Sequence, residues 1–266
     1  MSTHTGFAPI DGAQIYYETA GSGSPVVFVH GFTLDTRMWD DQFAAFAEHH
    51  QVIRYDVRGF GRSSVPGTAS YSSVDDLKGL LDYLGLTSAA LIGLSMGGGI
   101  VTSFAVKYPA ATRALVSVDS SLWGYRFSEE FDSRFDAIAA LARQSGVAAA
   151  KALWLGDALF APAVENPAVE AKLGEIVGTY SGWHWLNDDP ERGMSPSTIE
   201  RLGVISAPTL IILGERDLAD FHRIADLLTE RIPGARQITL PRVGHMANME
   251  APEAFNEAVL EFLTRV

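Results

Sequence analysis

The sequence predicts an α/β protein with a mostly parallel sheet of eight strands and helices on both faces. Short apolar runs rich in β-branched residues alternate with segments whose apolar residues recur at helical spacing. This alternation is typical of parallel strands joined by helices. An Asp11-Gly12 turn between the first two runs favours a hairpin, so antiparallel pairing is expected at the amino-terminal edge of the sheet. A length of 266 residues suffices for one such domain carrying an insertion.

The elements follow one another in a regular order. The predicted strands are short apolar runs at residues 7–10, 13–19, 26–29, 51–55, 89–94, 114–118, 208–213 and 236–240. The predicted helices of this alternating pattern carry apolar stripes at residues 38–48, 74–84, 100–108, 221–232 and 255–263. Loops rich in glycine and polar residues separate them.

The alternation stops between residues 120 and 196, and we refer to this segment as the insertion. It is rich in alanine, has helical patterns and contains four of the five tryptophans, Trp123, Trp154, Trp183 and Trp185. We expect residues 1–119 and 197–266 to form a core domain, with the insertion following the sixth strand. The insertion either packs on the core as a structural element or covers a site as a lid whose tryptophans line an apolar pocket.

Composition excludes several classes of function. The formal net charge of −12 disfavours nucleic acid and membranes as partners, because both require basic surface. The absence of cysteine excludes disulfides, thiolate metal sites and a cysteine nucleophile. No metal-ligand cluster or nucleotide-binding loop is present, so neither a metal nor a cofactor is expected. No signal peptide and no membrane span is visible, which predicts a soluble cytoplasmic protein. The sequence does not predict the oligomeric state.

The stretch Gly93-Leu94-Ser95-Met96-Gly97 lies between a predicted buried strand and a predicted helix. In that context Gly-x-Ser-x-Gly is typical of a nucleophile elbow, a sharp turn that exposes a serine hydroxyl. Side chains at the two glycines would collide with neighbouring backbone, and the helix amino terminus favours developing negative charge. Ser95 is therefore the candidate nucleophile, and the alternative is an ordinary glycine-rich turn.

A nucleophilic serine needs a base that takes its proton and a carboxylate that orients the base. Of the seven histidines, His245 alone follows a predicted strand by a short loop, which brings it to the same edge of the sheet as Ser95. Asp217 follows another strand end and precedes His245 in the chain, so it is the candidate acid. Asp119 also ends a strand and stays open as an alternative acid.

An oxyanion needs hydrogen-bond donors close to the nucleophile. The residue after the nucleophile, Met96, offers one backbone N–H, and Phe32, in the loop after the strand that ends at His30-Gly31, offers a second. Gly31 allows that loop to approach the elbow without an intervening side chain.

Together these residues resemble the α/β-hydrolase superfamily along almost the whole chain, cap included. The matching motifs are His30-Gly31-Phe32, Asp56-x-Arg58-Gly59-x-Gly61-x-Ser63, Gly93-Leu94-Ser95-Met96-Gly97-Gly98, Gly214-x-x-Asp217 and Gly244-His245. Within the superfamily the chain is most similar to the 3-oxoadipate enol-lactonase and small carboxylesterase branch, through Asp35 and Trp39, the Arg54-Tyr55-Asp56 strand end and the Ser-Met-Gly-Gly elbow.

The resemblance implies an α/β-hydrolase fold and a serine hydrolase that cleaves an ester or lactone of a small, largely apolar substrate. Ser95 would form an acyl-enzyme, with His245 as base, Asp217 as orienting acid, and Phe32 and Met96 as oxyanion donors. Two alternatives stay open. A C–C bond hydrolase of a vinylogous diketone would reuse the same triad, and a binding or signalling protein would keep the fold as a ligand pocket.

Overall fold

An eight-stranded sheet organises the computed structural model, which describes residues 2–266. Its spatial order is β1-β2-β4-β3-β5-β6-β7-β8. The strands are β1 (His4–Ile10), β2 (Ala13–Gly21), β3 (Pro25–Val29), β4 (Gln51–Tyr55), β5 (Ala89–Leu94), β6 (Thr112–Val118), β7 (Thr209–Gly214) and β8 (Arg236–Leu240). β2 pairs antiparallel with β1 and β4, and the remaining neighbours are parallel. The predicted mostly parallel sheet with an antiparallel amino-terminal edge is confirmed.

The helices alternate with the strands as the apolar spacing predicts. They are α1 (Asp40–Phe46), α2 (Ser73–Tyr83), α3 (Met96–Lys107), α4 (Glu129–Ser145), α5 (Val147–Leu155), α6 (Pro167–Thr179), α7 (Trp183–Leu186), α8 (Ala219–Arg231), α9 (Ala247–Glu250) and α10 (Pro252–Leu263). The segment predicted as one helix over residues 38–48 is instead a 3₁₀ turn (Thr36–Trp39) followed by α1. The Asp35 side chain begins this turn early because it accepts the Arg37 N–H at 3.0 Å.

The central strands are buried on both faces. All residues of β5 and of β7 are buried, and successive side chains of a strand point to opposite faces. Complete burial therefore requires cover on each side of the sheet, which helices provide. The carboxyl ends of these parallel strands meet at one edge, where the loops that carry the candidate site residues lie.

Four helices, α4 to α7, lie between β6 and β7, within the insertion. Polar bonds tie them to the core. Arg37, held by Asp35 in the core, donates to Glu175 at 2.9 Å and to Thr179 at 2.5 Å, both on α6. The limits 120–196 stay a prediction. Among the described helices, none has the length and apolar composition that crossing a membrane requires.

Candidate active site

Ser95 lies on a strained turn between β5 and α3. Its φ of 56° and ψ of −118° are uncommon for a residue with a side chain. A Cβ built on Gly93 would lie 2.2 Å from the Gly97 carbonyl oxygen, and one built on Gly97 would lie 2.1 Å from that of Val29 in β3. Only glycine fits at both positions, so the two glycines permit the sharp turn that holds Ser95 at the end of β5.

His245 and Asp217 form a buried hydrogen-bonded pair. Asp217 lies in the loop after β7, and His245 lies in the loop between β8 and α9. Nδ1 of His245 lies 2.8 Å from Oδ2 of Asp217, and both side chains are almost completely buried. The second carboxylate oxygen of Asp217 accepts the Leu218 N–H at 2.7 Å. Since the carboxylate accepts only, Nδ1 carries the proton, and the other ring nitrogen, Nε2, is left as an acceptor.

Nε2 of His245 is buried and forms no hydrogen bond within the part of the chain that the structure describes. A buried nitrogen without a hydrogen-bond partner is uncommon in folded proteins and calls for an explanation. His245 and Ser95 line the same cavity. This free acceptor therefore stands at the cavity where the candidate nucleophile lies.

The cavity at Ser95 is small and mostly apolar. Its volume is about 30 Å³. Aromatic side chains dominate its lining: Phe32, Phe131, Phe135, Trp154, Phe160 and Phe221. Among the described residues, no lysine, arginine, aspartate or glutamate side chain lines it. The arrangement suits an apolar group and offers no ion pair to an anionic one.

Of the four tryptophans predicted to line a pocket, Trp154 lines this cavity and the other three do not. Trp185 packs on Tyr180, with ring centroids 5.0 Å apart. Trp183 lies on α7 beside His184, at 4.9 Å. The Trp123 carbonyl accepts the Ile199 N–H at 3.1 Å. Spacing alone cannot separate these roles, because all four lie in loops or short helices whose orientation depends on tertiary packing.

The two predicted oxyanion donors lie on either side of the elbow. Met96 begins α3 directly after Ser95. A Cβ built on Gly31 would lie 3.5 Å from the Cβ of Ser95, so the loop that carries Phe32 approaches the serine closely. Neither the Met96 nor the Phe32 N–H donates a hydrogen bond to any residue that the structure describes. Both remain available to an oxyanion, and the α3 amino terminus adds positive potential.

Glu250 is a site residue that sequence reasoning missed. Its carboxylate accepts the N–H of Gly244 at 2.7 Å and that of Met246 at 3.0 Å, the two residues that flank His245. Burial raises the pKa of Glu250. The carboxylate thus clamps the loop that carries the histidine. No motif marks it, because the clamp depends on how α9 folds back on the loop.

His30 has both ring nitrogens engaged in the core. Nδ1 bonds the Gly31 carbonyl at 2.8 Å, and Nε2 accepts the Val57 N–H at 2.9 Å. Burial lowers its pKa. His30 therefore has a structural role beside the loop that carries Phe32, and no ring nitrogen is left to act as a base. Among the described residues, no three histidine, aspartate or glutamate side chains group as metal ligands would.

Comparison with known proteins shows the family to which the chain belongs. The family described as alpha/beta hydrolase fold matches residues 24–252. The chain is 30% identical over 257 residues to a putative carbamate hydrolase RutD of Azorhizobium caulinodans, covering 94% of this chain and 95% of that protein.

Two solved structures are similar over nearly the whole chain. The enol-lactonase from Burkholderia xenovorans LB400 is 26% identical with a TM-score of 0.82, covering 97% of this chain and 99% of that one. Est816, described as an N-acyl homoserine lactone degrading enzyme, is 30% identical with a TM-score of 0.79, covering 96% of this chain and 99% of that one.

Proposed function

This chain belongs to the alpha/beta hydrolase fold family and is a hydrolase, and from that premise we propose that it cleaves an ester or a lactone through an acyl-enzyme on Ser95. The observation that carries the proposal is the state of His245. One ring nitrogen is bonded to the buried Asp217, and the other is free at the cavity that Ser95 lines. A base oriented in this way beside a strained serine is suited to activate that serine.

In the proposed reaction, Oγ of Ser95 attacks the carbonyl carbon while Nε2 of His245 takes its proton. The carbonyl oxygen becomes an oxyanion, and the tetrahedral intermediate then loses the alcohol, which receives the proton from His245. In the second half of the reaction, a water oxygen attacks the carbonyl carbon of the acyl-enzyme while His245 takes a proton from the water. The bond between that carbon and Oγ of Ser95 then breaks, the acid is released, and Ser95 regains a proton from His245. Asp217 keeps the imidazole in the tautomer that leaves Nε2 free.

The N–H groups of Met96 and Phe32 receive the oxyanion in this proposal. Both lack another partner among the described residues, which supports the assignment. Donors fixed in advance stabilise charge that develops in the transition state, and losing one costs about 10²–10³-fold in kcat.

The apolar lining supports a small, largely apolar acyl group. Several lining residues, Phe131, Phe135, Trp154 and Phe160 among them, belong to the insertion. We therefore propose that the insertion acts as a cap that encloses the substrate. The names of the similar structures, an enol-lactonase and an N-acyl homoserine lactone degrading enzyme, support a lactone as well as an open-chain ester.

The test is hydrolysis of p-nitrophenyl acetate, p-nitrophenyl butyrate and a panel of lactones by the purified chain and by Ser95→Ala. We expect turnover that falls at least about 10⁴-fold in the variant, with an unchanged thermal unfolding midpoint. Equal turnover by Ser95→Ala would overturn the proposal. Cleavage of a vinylogous diketone without ester or lactone turnover would replace it with C–C bond hydrolysis, and stoichiometric binding without turnover would replace it with a binding function.

A further inference from the structure

We propose that Trp154 and Thr33 position the oxyanion donor of Phe32, so that the oxyanion hole is complete only while the insertion is seated on the core. The inference rests on the proposed function, because it concerns one of the two donors assigned there. It makes Trp154 a positioning residue as well as part of the cavity wall.

A two-step hydrogen-bond chain joins the insertion to the oxyanion loop. The indole N–H of Trp154, on α5, donates to Oγ1 of Thr33 at 2.7 Å. The Thr33 hydroxyl in turn donates to the Phe32 carbonyl at 2.6 Å. An indole nitrogen only donates, and a hydroxyl has one proton. The direction of both bonds is therefore fixed, and the hydroxyl proton is committed to Phe32.

The backbone at Thr33 needs this support. Its φ is 64°, in the left-handed region that a β-branched residue rarely occupies. Such strain costs about 1–3 kcal/mol and persists only where the surroundings fix it. Thr33 and Trp154 are each 1% exposed, so the bond between them is shielded from bulk solvent. The Trp154 bond thus holds a strained residue next to the donor.

The Phe32 side chain is held by the insertion as well. Six rings surround it at centroid distances of 5.6–6.4 Å. Five of them belong to the insertion, and they are Phe135, Trp154, Tyr180, His184 and Trp185. The insertion therefore contacts the ring of Phe32 directly and its carbonyl through Thr33, while the Phe32 N–H has no partner among the described residues. Movement of the insertion would therefore loosen both the packing of the Phe32 ring and the hydrogen bond to its carbonyl.

The cavity explains why such movement matters. About 30 Å³ leaves little free space beside Ser95, so side chains of the insertion shift when a substrate enters. That shift strains or breaks the Trp154 bond and frees Phe32. Reclosure over the acyl group restores the bond, and binding energy of the substrate is then used to assemble the oxyanion hole.

The chain offers a matched control. Nε1 of Trp185 is buried and has no hydrogen-bond partner among the described residues, although its ring lies 6.4 Å from the Phe32 ring. Trp185→Phe removes an N–H from the same aromatic cluster without touching the hydrogen-bond chain. Trp154→Phe removes the N–H that donates to Thr33 in the hydrogen-bond chain. Thr33→Val removes the hydroxyl but keeps the shape, and Thr33→Ser keeps the hydroxyl.

The experiment measures kcat and KM for p-nitrophenyl butyrate together with the affinity of a trifluoromethyl ketone, whose adduct with serine carries an oxyanion. We expect kcat to fall about 10–100-fold in Trp154→Phe and Thr33→Val, with KM changed less than about threefold and ketone affinity falling in parallel with kcat. Thr33→Ser should retain most of the activity, and Trp185→Phe should lose far less than Trp154→Phe. The Trp154→Phe/Thr33→Val double variant should fall little further than Thr33→Val, because both changes break one chain.

Equal losses in Trp154→Phe and Trp185→Phe, or a loss confined to KM, would overturn the inference while the proposed function stands. Lack of Ser95-dependent turnover in the unmodified chain would instead contradict the proposed function. If Trp154→Phe unfolds, the comparison of Thr33→Val with Thr33→Ser decides the inference, since equal activity of those two variants would overturn it.

Discussion

At the scale of single residues, two buried carboxyls compete for the role of orienting acid. Asp119 follows β6 and is 1% exposed, and its Oδ1 accepts the Gly214 N–H at 2.7 Å. Burial, together with the charge of the neighbouring Asp217, raises the pKa of Asp119 well above its usual range. Nδ1 of His245 is bonded to Asp217, whereas the raised pKa favours the protonated form of Asp119. Its buried Oδ2, which has no other partner among the described residues, can instead carry the proton and donate it towards Asp217.

We predict that replacement by asparagine preserves activity at Asp119 and abolishes most of it at Asp217. Asp119→Asn keeps an acceptor for the Gly214 N–H and a donor for Asp217, so kcat should stay within about fivefold. Asp217→Asn should lower kcat about 10⁴-fold, because an amide allows the wrong imidazole tautomer. The measurement is kcat at neutral pH for both variants. The reverse order of losses would make Asp119 the orienting acid.

The Glu250 clamp gives a second prediction at this scale. Glu250→Gln leaves one acceptor oxygen for two N–H groups, so one of the N–H groups that flank His245 loses its partner. A small displacement of the base should lower kcat about 10–100-fold while KM changes little. Glu253→Gln, at an exposed position of α10, is the matched control. The measurement is steady-state kinetics of both variants. Equal kcat values for Glu250→Gln and Glu253→Gln would refute the role of the clamp.

The residues that the sequence identifies are those whose signals are local. Ser95 is marked by its glycines, and His245 by its place after a strand, whereas Glu250 and the Trp154–Thr33 pair carry no such mark. The last two are 121 positions apart. A contact across that separation is decided by how the insertion docks, which periodicity and motif spacing do not encode.

At the scale of elements, the long helices and the strands were predictable because their apolar spacing extends over several turns or several alternations. α7 and α9 were not predicted, since four residues make a single turn without a period. Both matter for the site. α9 supplies Glu250, and α7 presents His184, which stacks on Phe60 with ring centroids 4.4 Å apart.

The contact of α7 with the core should make stability depend on pH. Burial lowers the pKa of His184 to about 4. Its neighbours are the Phe60 ring, the Tyr180 hydroxyl 2.9 Å from Nδ1, and a carboxylate oxygen of Asp189 3.6 Å from Nε2. In the unfolded chain the His184 imidazole binds a proton once the pH falls below its ordinary pKa of about 6.5. In the folded chain it does so only near pH 4. Acidification through this window therefore favours the unfolded state.

We expect the free energy of unfolding to fall by as much as about 1.4 kcal/mol per pH unit from this one group between pH 6.5 and 4. His184→Phe, which keeps an aromatic ring against Phe60, should fall less steeply over the same range. His49→Gln, at an exposed position, should follow the unmodified chain. Urea unfolding at four pH values measures the three slopes. Parallel slopes for His184→Phe and the unmodified chain would contradict the assignment.

At the scale of the whole molecule, the core and the insertion meet at the cavity, and side chains from both line it. Polar bonds link them at several places, among them from Arg37 to α6 and from Trp154 to Thr33. The sequence predicts the division into core and insertion because the alternation of strands and helices stops between residues 120 and 196. It could not predict how tightly the two close, because that depends on side chains from both meeting across the site.

This closure should make the chain selective for short acyl groups. Burying one methylene contributes about 0.8 kcal/mol, so an open pocket would favour p-nitrophenyl octanoate over the acetate. A cavity of about 30 Å³ is too small to bury the methylenes of an octanoyl group, so their burial does not stabilise the complex. We expect kcat/KM for acetate and butyrate to exceed that for octanoate about tenfold or more. Leu159→Ala, which removes part of the cavity wall, should narrow this ratio, whereas Leu153→Ala, 45% exposed on α5, should leave it unchanged. A preference for octanoate in the unmodified chain would mean that the insertion opens into a larger pocket than the closed structure has.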